Sequence, residues 1–308
     1  MSAGALLDRL RCLPQYVIPQ KGLTGIVHWL TRRRSPLWLK DFAIRAFVAA
    51  FGVDLSEAEI TNPVGYADFN AFFTRALRPG ARRIVGGRGA LACPVDGAVS
   101  QCGSIHGDRL FQAKGRDYSL TALLGGEPGL ARPFTEGLFA TLYLSPRDYH
   151  RIHMPCDGLL RETVHVPGRL FSVSPLTTRV VPRLFTRNER LVCLFDTEFG
   201  SMAVVLVGAV NVASMETVWA GVVTPPYGRR VVTRHYAGRE SGENVMLEKG
   251  AELGRFNMGS TVIVIIPPGV ALLDESIRAG AIVRMGQRLA VGQDGSESAI
   301  RPDRIRMP

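Results

Sequence analysis

The sequence predicts an α+β protein in which a helical N-terminal region packs on a mostly antiparallel β catalytic body. Three observations lead there. Up to about residue 80 the apolar residues recur at helical spacing. From about residue 90 the pattern changes to β-branched apolar runs punctuated by Gly, Pro and Asp-Gly. The chain has 308 residues, 46% hydrophobic and 21% charged, enough for a sizeable core in one large or two smaller domains. The expected division is a helical, basic, membrane-associating region over 1–80 and a β-rich catalytic body over 81–308.

In the first region, "GIVHWLTRRRSPLWLKDFAIRAFVAAFGV" reads as amphipathic helix. Asp68 is placed to cap "FNAFFTRAL", with Pro79-Gly80 as its stop. Beyond residue 90, "LFATLYLS", "GSMAVVLVGAVNVASMETVW" and "STVIVIIPP" read as strands, with Asp-Gly turns at "VDGAV" and "CDGLL". Ser145-Pro146 predicts a short helical turn over residues 146–152. "TRNERL" and "VGQDGSES" read as exposed loops, and "AGAIVRMGQRLAVG" as a closing hairpin.

The net charge of +10 is polarised toward the N-terminus, where Arg9, Arg11, Lys21, Arg32, Arg33, Arg34, Lys40 and Arg45 face only Asp8 and Asp41. Such a segment attracts polyanions, either nucleic acid or an anionic leaflet. Trp29, Leu30, Leu37, Trp38, Leu39, Phe42 and Phe47 are interleaved with the cations, and that company suits a bilayer interface rather than nucleic acid. The competing reading is a solvated basic face on surface helices. The first twenty residues lack the pattern of a secretory signal, and the longest apolar runs are too short or too broken by proline to span a bilayer. The expected location is therefore peripheral, on the cytoplasmic face of the cell membrane. Five scattered cysteines without C-x-x-C or zinc spacing fit a reducing compartment. Cys156 in "MPCDG" reads as a buried hydrophobe before it reads as a nucleophile.

Three stretches place unusual polar groups among apolar neighbours. Asp96 in "ACPVDGAVS" belongs to a favoured turn pair and by itself is no more than that. On the helical turn predicted for "YLSPRDYHRIHMPCDG", His150 and His153 lie on one side. Two histidines could bind a metal, but no third ligand has recognisable spacing, and no metal is expected. In "GRFNMGSTVIVII" a serine, Ser260, opens a strand directly after Gly259, which has no side chain to shield the peptide bond. A serine hydroxyl needs a base to take its proton and a carboxylate to orient the base, roles that Asp96, one of the histidines and Ser260 could fill. A serine, a histidine and an aspartate can be picked from almost any chain.

Six co-linear segments, "FNAFFTRALRPGARRI", "PVDGAVS", "FQAKGRDYSLTALLGG", "YHRIHMPCDG", "VGAVNVASMETVW" and "KGAELGRFNMGSTVIVI", resemble the phosphatidylserine decarboxylases over roughly residues 62–290. Met258 stands where that family often has leucine, a swap of similar volume. The resemblance implies a proenzyme that cuts itself between Gly259 and Ser260 into chains 1–259 and 260–308. Ser260 would attack the Gly259 carbonyl and move the acyl group from nitrogen to oxygen. β-Elimination would free a carboxylate at Gly259 and leave dehydroalanine, and its hydrolysis with loss of ammonia would give a covalent pyruvoyl group at residue 260. That ketone would form a Schiff base with the serine headgroup, accept the electrons left by departing carbon dioxide, and release phosphatidylethanolamine. By the same resemblance His153 aligns with the self-cleavage base oriented by Asp96, and His150 with a residue of the decarboxylation step. The implied partners are phosphatidylserine in an anionic membrane and the chain's own two fragments; a homo-oligomer is left open.

Rival readings are a serine hydrolase, a pyridoxal phosphate decarboxylase and a non-enzymatic membrane-binding protein. Ser260 lacks the G-x-S-x-G elbow of the first. For the second, Lys21, Lys40, Lys114 and Lys249 are the only lysines, and none sits in an evident cofactor motif. The third explains the N-terminus and nothing of residues 90–266.

Overall fold

The computed structural model describes residues 8, 10–87, 89–210, 214–225, 228–236, 244–257 and 260–293, without the side chain of Ser260; Met258 and Gly259 lie outside the described residues, as does most of "VGQDGSES". Among the described residues the N-terminal part includes the helices α1 (Pro14–Val17), α2 (Gln20–Thr31), α3 (Leu37–Phe51) and α4 (Phe69–Phe73). Ser35-Pro36 separates α2 from α3, and Gly52 in the left-handed region (φ 63°) ends α3, its neighbour Val53 N–H closing onto the Val48 carbonyl. Ile44, Val53, Leu55, Ala58, Tyr66, Phe72 and Phe73 form a small core of their own.

The strands are β1 (Ala90–Ala92), β2 (Gly97–Ser104), β3 (Arg109–Ala113), β4 (Arg116–Ser119), β5 (Leu138–Leu144), β6 (Arg151–His153), β7 (Gly158–Val166), β8 (Arg190–Thr197) and β9 (Gly200–Val207). They continue as β10 (Met215–Thr217), β11 (Gly221–Thr224), β12 (Val232–His235), β13 (Met246–Leu247), β14 (Glu252–Phe256), β15 (Ser260–Ile266), β16 (Ala271–Leu273), β17 (Ile282–Val283) and β18 (Arg288–Gly292). The main sheet runs β12-β7-β8-β9-β15-β5-β2-β17, with β13 also on β7, and its pairings are antiparallel. β15 lies inside it between β5 and β9, and Thr261 to Ile266 are all buried. A strand covered on both faces has no polar side to alternate with, which explains its unbroken apolar run. A second sheet, β11-β10-β14-β6, carries His153, and a third, β1-β18-β16, closes the body. The architecture is α+β, as expected.

Four local expectations change. Asp68 does cap α4, its Oδ1 accepting from Ala71 N–H at 2.8 Å, but the helix stops at Phe73 instead of running toward Pro79-Gly80. Residues 146–152 are not helical: Asp148 Oδ2 accepts from Ser145 N–H at 2.7 Å and closes a turn, after which the backbone pairs as β6 with β14. "TRNERL" is largely buried, because its polar groups satisfy backbone. Asn188 bonds both polar backbone groups of Phe171 and the Gly208 carbonyl, the Arg190 guanidinium donates to the carbonyls of Ala122, Leu123, Thr186 and Asn188, and Glu189 accepts from His165 Nε2. The late segment is no hairpin: β17 pairs with β2 and β18 with β1 and β16. Between them the backbone groups of Gly286 and Gln287 are taken by Cys93 and Val85, which turns the two strands apart.

Candidate active site

Asp96 leads into β2, just after the Pro94 carbonyl accepts from His153 N–H at 2.9 Å. Gly97 is required there, since a Cβ would fall 2.3 Å from the Tyr143 carbonyl oxygen of β5. The Asp96 carboxylate accepts a two-pronged guanidinium contact from Arg82, Nε to Oδ1 at 3.0 Å and Nη2 to Oδ2 at 2.5 Å, and Met285 N–H at 2.8 Å. These bonds raise the Arg82 pKa, the Asp96 hydrogen bond being the largest cause.

His153, on β6, donates from Nδ1 to the Gly250 carbonyl at 2.8 Å, and its Nε2 is 2.9 Å from the Tyr149 hydroxyl. A carbonyl can only accept, so Nδ1 carries the proton and Nε2 holds the lone pair to which Tyr149 donates. Burial lowers the His153 pKa; the Gly250 bond and the charges of Glu252 and Asp96 oppose it, and Arg151 adds to it. The expected Asp96–His153 hydrogen bond is therefore not formed. The Gly250 carbonyl sets the tautomer, and Asp96 acts on the imidazole by its charge.

His150 is fully buried. Its Nδ1 donates to the Asp148 carbonyl at 2.8 Å, its Nε2 is a buried lone pair without a partner, and its ring centroid lies 4.1 Å from that of Phe73. Burial pushes its pKa down to about 3, and the Arg75 charge works in the same direction. Both histidines are neutral at pH 7.

The 145–150 loop is pinned at both ends to the chain around the Gly-Ser bond. Just before the loop, Leu144 pairs with Ser260; at its end the His150 carbonyl accepts from Phe256 N–H at 3.1 Å. Asn257, fully buried, donates its backbone N–H to the Ser214 carbonyl at 2.9 Å and its Nδ2 to Ser214 Oγ. The folded chain thus brings His150 and the backbone of Ser260 to one end of β15, with His153 on the adjoining β6. Tyr149, Gly250, Arg82 and Arg75 went unnoticed in the sequence. Tyr149 lay inside a quoted motif, but nothing in the spacing marks a tyrosine as the partner of a histidine four residues on. Among the described residues, no group of three His, Cys, Asp or Glu side chains could hold a metal ion.

A family model described as phosphatidylserine decarboxylase matches residues 69–291 of this chain. The chain belongs to that family. A second model, described as PSD, matches residues 10–52. Three proteins named phosphatidylserine decarboxylase proenzyme are similar along almost their whole lengths. That of Methylococcus capsulatus is 52% identical over 289 residues, 94% of this chain and 99% of the relative. That of Xanthomonas axonopodis pv. citri is 54% identical over 275 residues, 89% and 96% respectively. That of Pseudomonas entomophila is 54% identical over 284 residues, 92% and 98%. Phosphatidylserine decarboxylases are carboxy-lyases, which removes the hydrolase and non-enzymatic readings.

In this member of the family the N-terminal arginines are not equivalent. Arg32 Nη1 lies 2.8 Å from His28 Nδ1 and its Nη2 3.5 Å from Ser214 Oγ, and burial lowers its pKa. Lys40 is turned inward onto the Tyr66 and Val64 carbonyls. Arg33 stacks 3.8 Å over the Trp29 ring, and Arg34 is exposed with a 3.7 Å ion pair to Asp68. Leu37, Trp38 and Phe42 are each about two-thirds exposed, and Trp29 about half. Beside them Trp29, Leu30, Leu39, Ala43 and Phe69 line a cavity of about 630 Å³. Among the described residues no helix is long and apolar enough to cross a membrane.

Proposed function

We propose that this chain is a proenzyme that cuts itself between Gly259 and Ser260 and then decarboxylates phosphatidylserine to phosphatidylethanolamine and carbon dioxide. The observation that carries the reading is the 145–150 loop, pinned by Leu144 and His150 to the two sides of the Gly-Ser bond. In self-cleavage His153 Nε2, an unprotonated acceptor once the Tyr149 hydroxyl turns away, takes the Ser260 hydroxyl proton, and the Asp96 charge favours the imidazolium that results. The products are chains 1–259 and 260–308.

A pyruvoyl group derived from Ser260 fits this end of the sheet. Residue 260 heads a strand whose next six residues are buried, so a carbonyl there would have a fixed position, and the buried lone pair of His150 Nε2 is without a partner and so free to accept from a donor. The group supplies an electrophile for the substrate's amine and a sink for the electrons left by carbon dioxide. His150 Nε2, unprotonated at pH 7, accepts a proton at the decarboxylation step. The region 1–80 holds the body 81–308 peripherally at the cytoplasmic face of the cell membrane, where Trp29, Trp38 and Phe42 enter the interface and Arg33 and Arg34 meet anionic headgroups.

Denaturing mass spectrometry of fresh wild-type protein should give two chains, the smaller with a blocked N-terminus, while Ser260→Ala stays whole and releases no carbon dioxide from phosphatidylserine vesicles. An uncut wild-type chain with full decarboxylase activity would sink the proposal.

A further inference from the structure

Arg75, just beyond α4, is only 4% exposed, and the bonds it makes go to backbone. Its Nη2 donates to the carbonyl oxygens of Arg147 at 2.9 Å and Asp148 at 3.3 Å, whereas Nε and Nη1 are buried without a partner. Burial lowers its pKa, against the opposing influence of Tyr66, Asp96, Asp148 and Tyr149. Taking a guanidinium out of water for two carbonyls is expensive unless the position of those carbonyls matters.

What depends on them is His150. Three successive residues grip the loop that carries it: the Phe73 ring packs on the imidazole, the Thr74 carbonyl accepts from Arg151 Nε at 2.9 Å, and Arg75 holds the 147–148 carbonyls. The Asp148 carbonyl oxygen accepts two donors at once, Arg75 Nη2 and His150 Nδ1. A carbonyl fixed there obliges Nδ1 to be the protonated nitrogen and leaves Nε2 as the lone pair. The nearby guanidinium charge also disfavours a second proton on the ring. Without Arg75 the carbonyl can turn toward another donor, and the two tautomers approach the mixture of a free imidazole.

We propose that Arg75 is a positioning residue for the reaction at His150: it anchors the Asp148 carbonyl, which sets the His150 tautomer and presents Nε2 as an unprotonated acceptor. The proposal rests on the role of His150 in decarboxylation, and two readouts separate them. The first is the nitrogen NMR of ¹⁵N-histidine-labelled full-length protein, cut or uncut, in which a His150→Asn variant identifies the His150 signals among six histidines. Wild type should show Nδ1–H and a bare Nε2; Arg75→Met should show mixed or reversed tautomers.

The second readout is turnover of phosphatidylserine in mixed micelles. Arg75→Met should lower kcat by about 10- to 100-fold, short of the ~10²–10⁴ that an acid–base group itself contributes, with KM changed less than about twofold. Arg75→Lys, which keeps a charged donor, should recover most of the lost kcat and retain the wild-type tautomer; it also serves as the test if the Met variant does not fold. An unchanged tautomer in Arg75→Met, or in an Arg75→Lys enzyme as impaired as Met, would overturn the proposal, and so would a changed tautomer with full kcat. Full kcat in His150→Asn would instead remove the decarboxylation role of His150 itself.

Discussion

Burial holds His153 below imidazole's ordinary value of 6.5, with the Gly250 carbonyl and the Glu252 and Asp96 charges pulling the other way. A depressed value means that the free base survives below pH 6.5. Self-cleavage of freshly translated precursor should therefore fall less from pH 7.5 to 6 than that of an unperturbed histidine, which would lose about three-quarters of its base form by pH 6. A rate that halves near pH 6.5 would contradict this environment. Asp96 and Arg82 give a second test at the same scale. Asp96→Asn removes the charge that favours the imidazolium and should slow cleavage by about tenfold or more. Arg82→Met removes the cation that neutralises Asp96, together with its ion pair to Glu57, and keeps the Asp96 charge; it should destabilise the fold by about 1–3 kcal/mol yet leave cleavage as fast as wild type. Equal slowing in the two precursors, timed on gels, would make Asp96 a structural clamp alone. The sequence made Asp96, His153, His150 and Ser260 visible because their residue types carry recognisable chemistry. It hid Gly250 and Tyr149, because a backbone carbonyl leaves no trace in residue identity and a tyrosine hydroxyl declares itself only when a fold points it at a ring nitrogen.

Among elements, β15 was the most legible: six residues without a charge between a Gly-Ser and a Pro-Pro can only be a covered strand. The loop after β5 was the least. Ser145-Pro146 carries a sound helix-start signal, but the Asp148 carboxylate satisfies the Ser145 N–H and pairing with β14 claims the next residues, so tertiary hydrogen bonds outweigh a local propensity. Polarity misled in the same way at "TRNERL", where Asn188 and Arg190 are buried because they satisfy backbone rather than meet water. Because β15 is packed on both faces, truncating its middle is costly. Ile263→Ala in a Ser260→Ala background, which keeps the chain in one piece, should lower the unfolding free energy by about 2–5 kcal/mol in denaturant titrations. A loss below about 1 kcal/mol would mean that the strand is less tightly covered than its burial indicates.

For the whole molecule, the helices collect exposed aromatic and cationic side chains on a separate small core, beside the body that carries the chemistry. Composition revealed the charge of this region but not which cations are available, since only the fold turns Arg32 and Lys40 inward. Arg33→Gln with Arg34→Gln should weaken co-sedimentation with anionic vesicles at low salt, by up to about 2 kcal/mol at roughly 1 kcal/mol per cation, and the difference should shrink toward 1 M salt. Arg32→Gln alone should bind as wild type; equal weakening by Arg32→Gln would show that the inward cation also serves the lipid surface. The position of β15 bears on the life history of the protein as well. Under the proposed cut before Ser260, this strand reaches its slot as part of one chain, at the high effective concentration that covalent linkage provides, and is then severed there. Afterwards the same slot is filled by a separate molecule that has never folded except as part of the longer one. Its pairing with β5 and β9 retains it, yet once lost to denaturant it must find its slot by diffusion while two sheet edges stand open to aggregation. On that proposal the mature enzyme is a product that can be made only once: its persistence is set by the rate at which the sheet opens, and the information needed to rebuild it is discarded at the moment it becomes active.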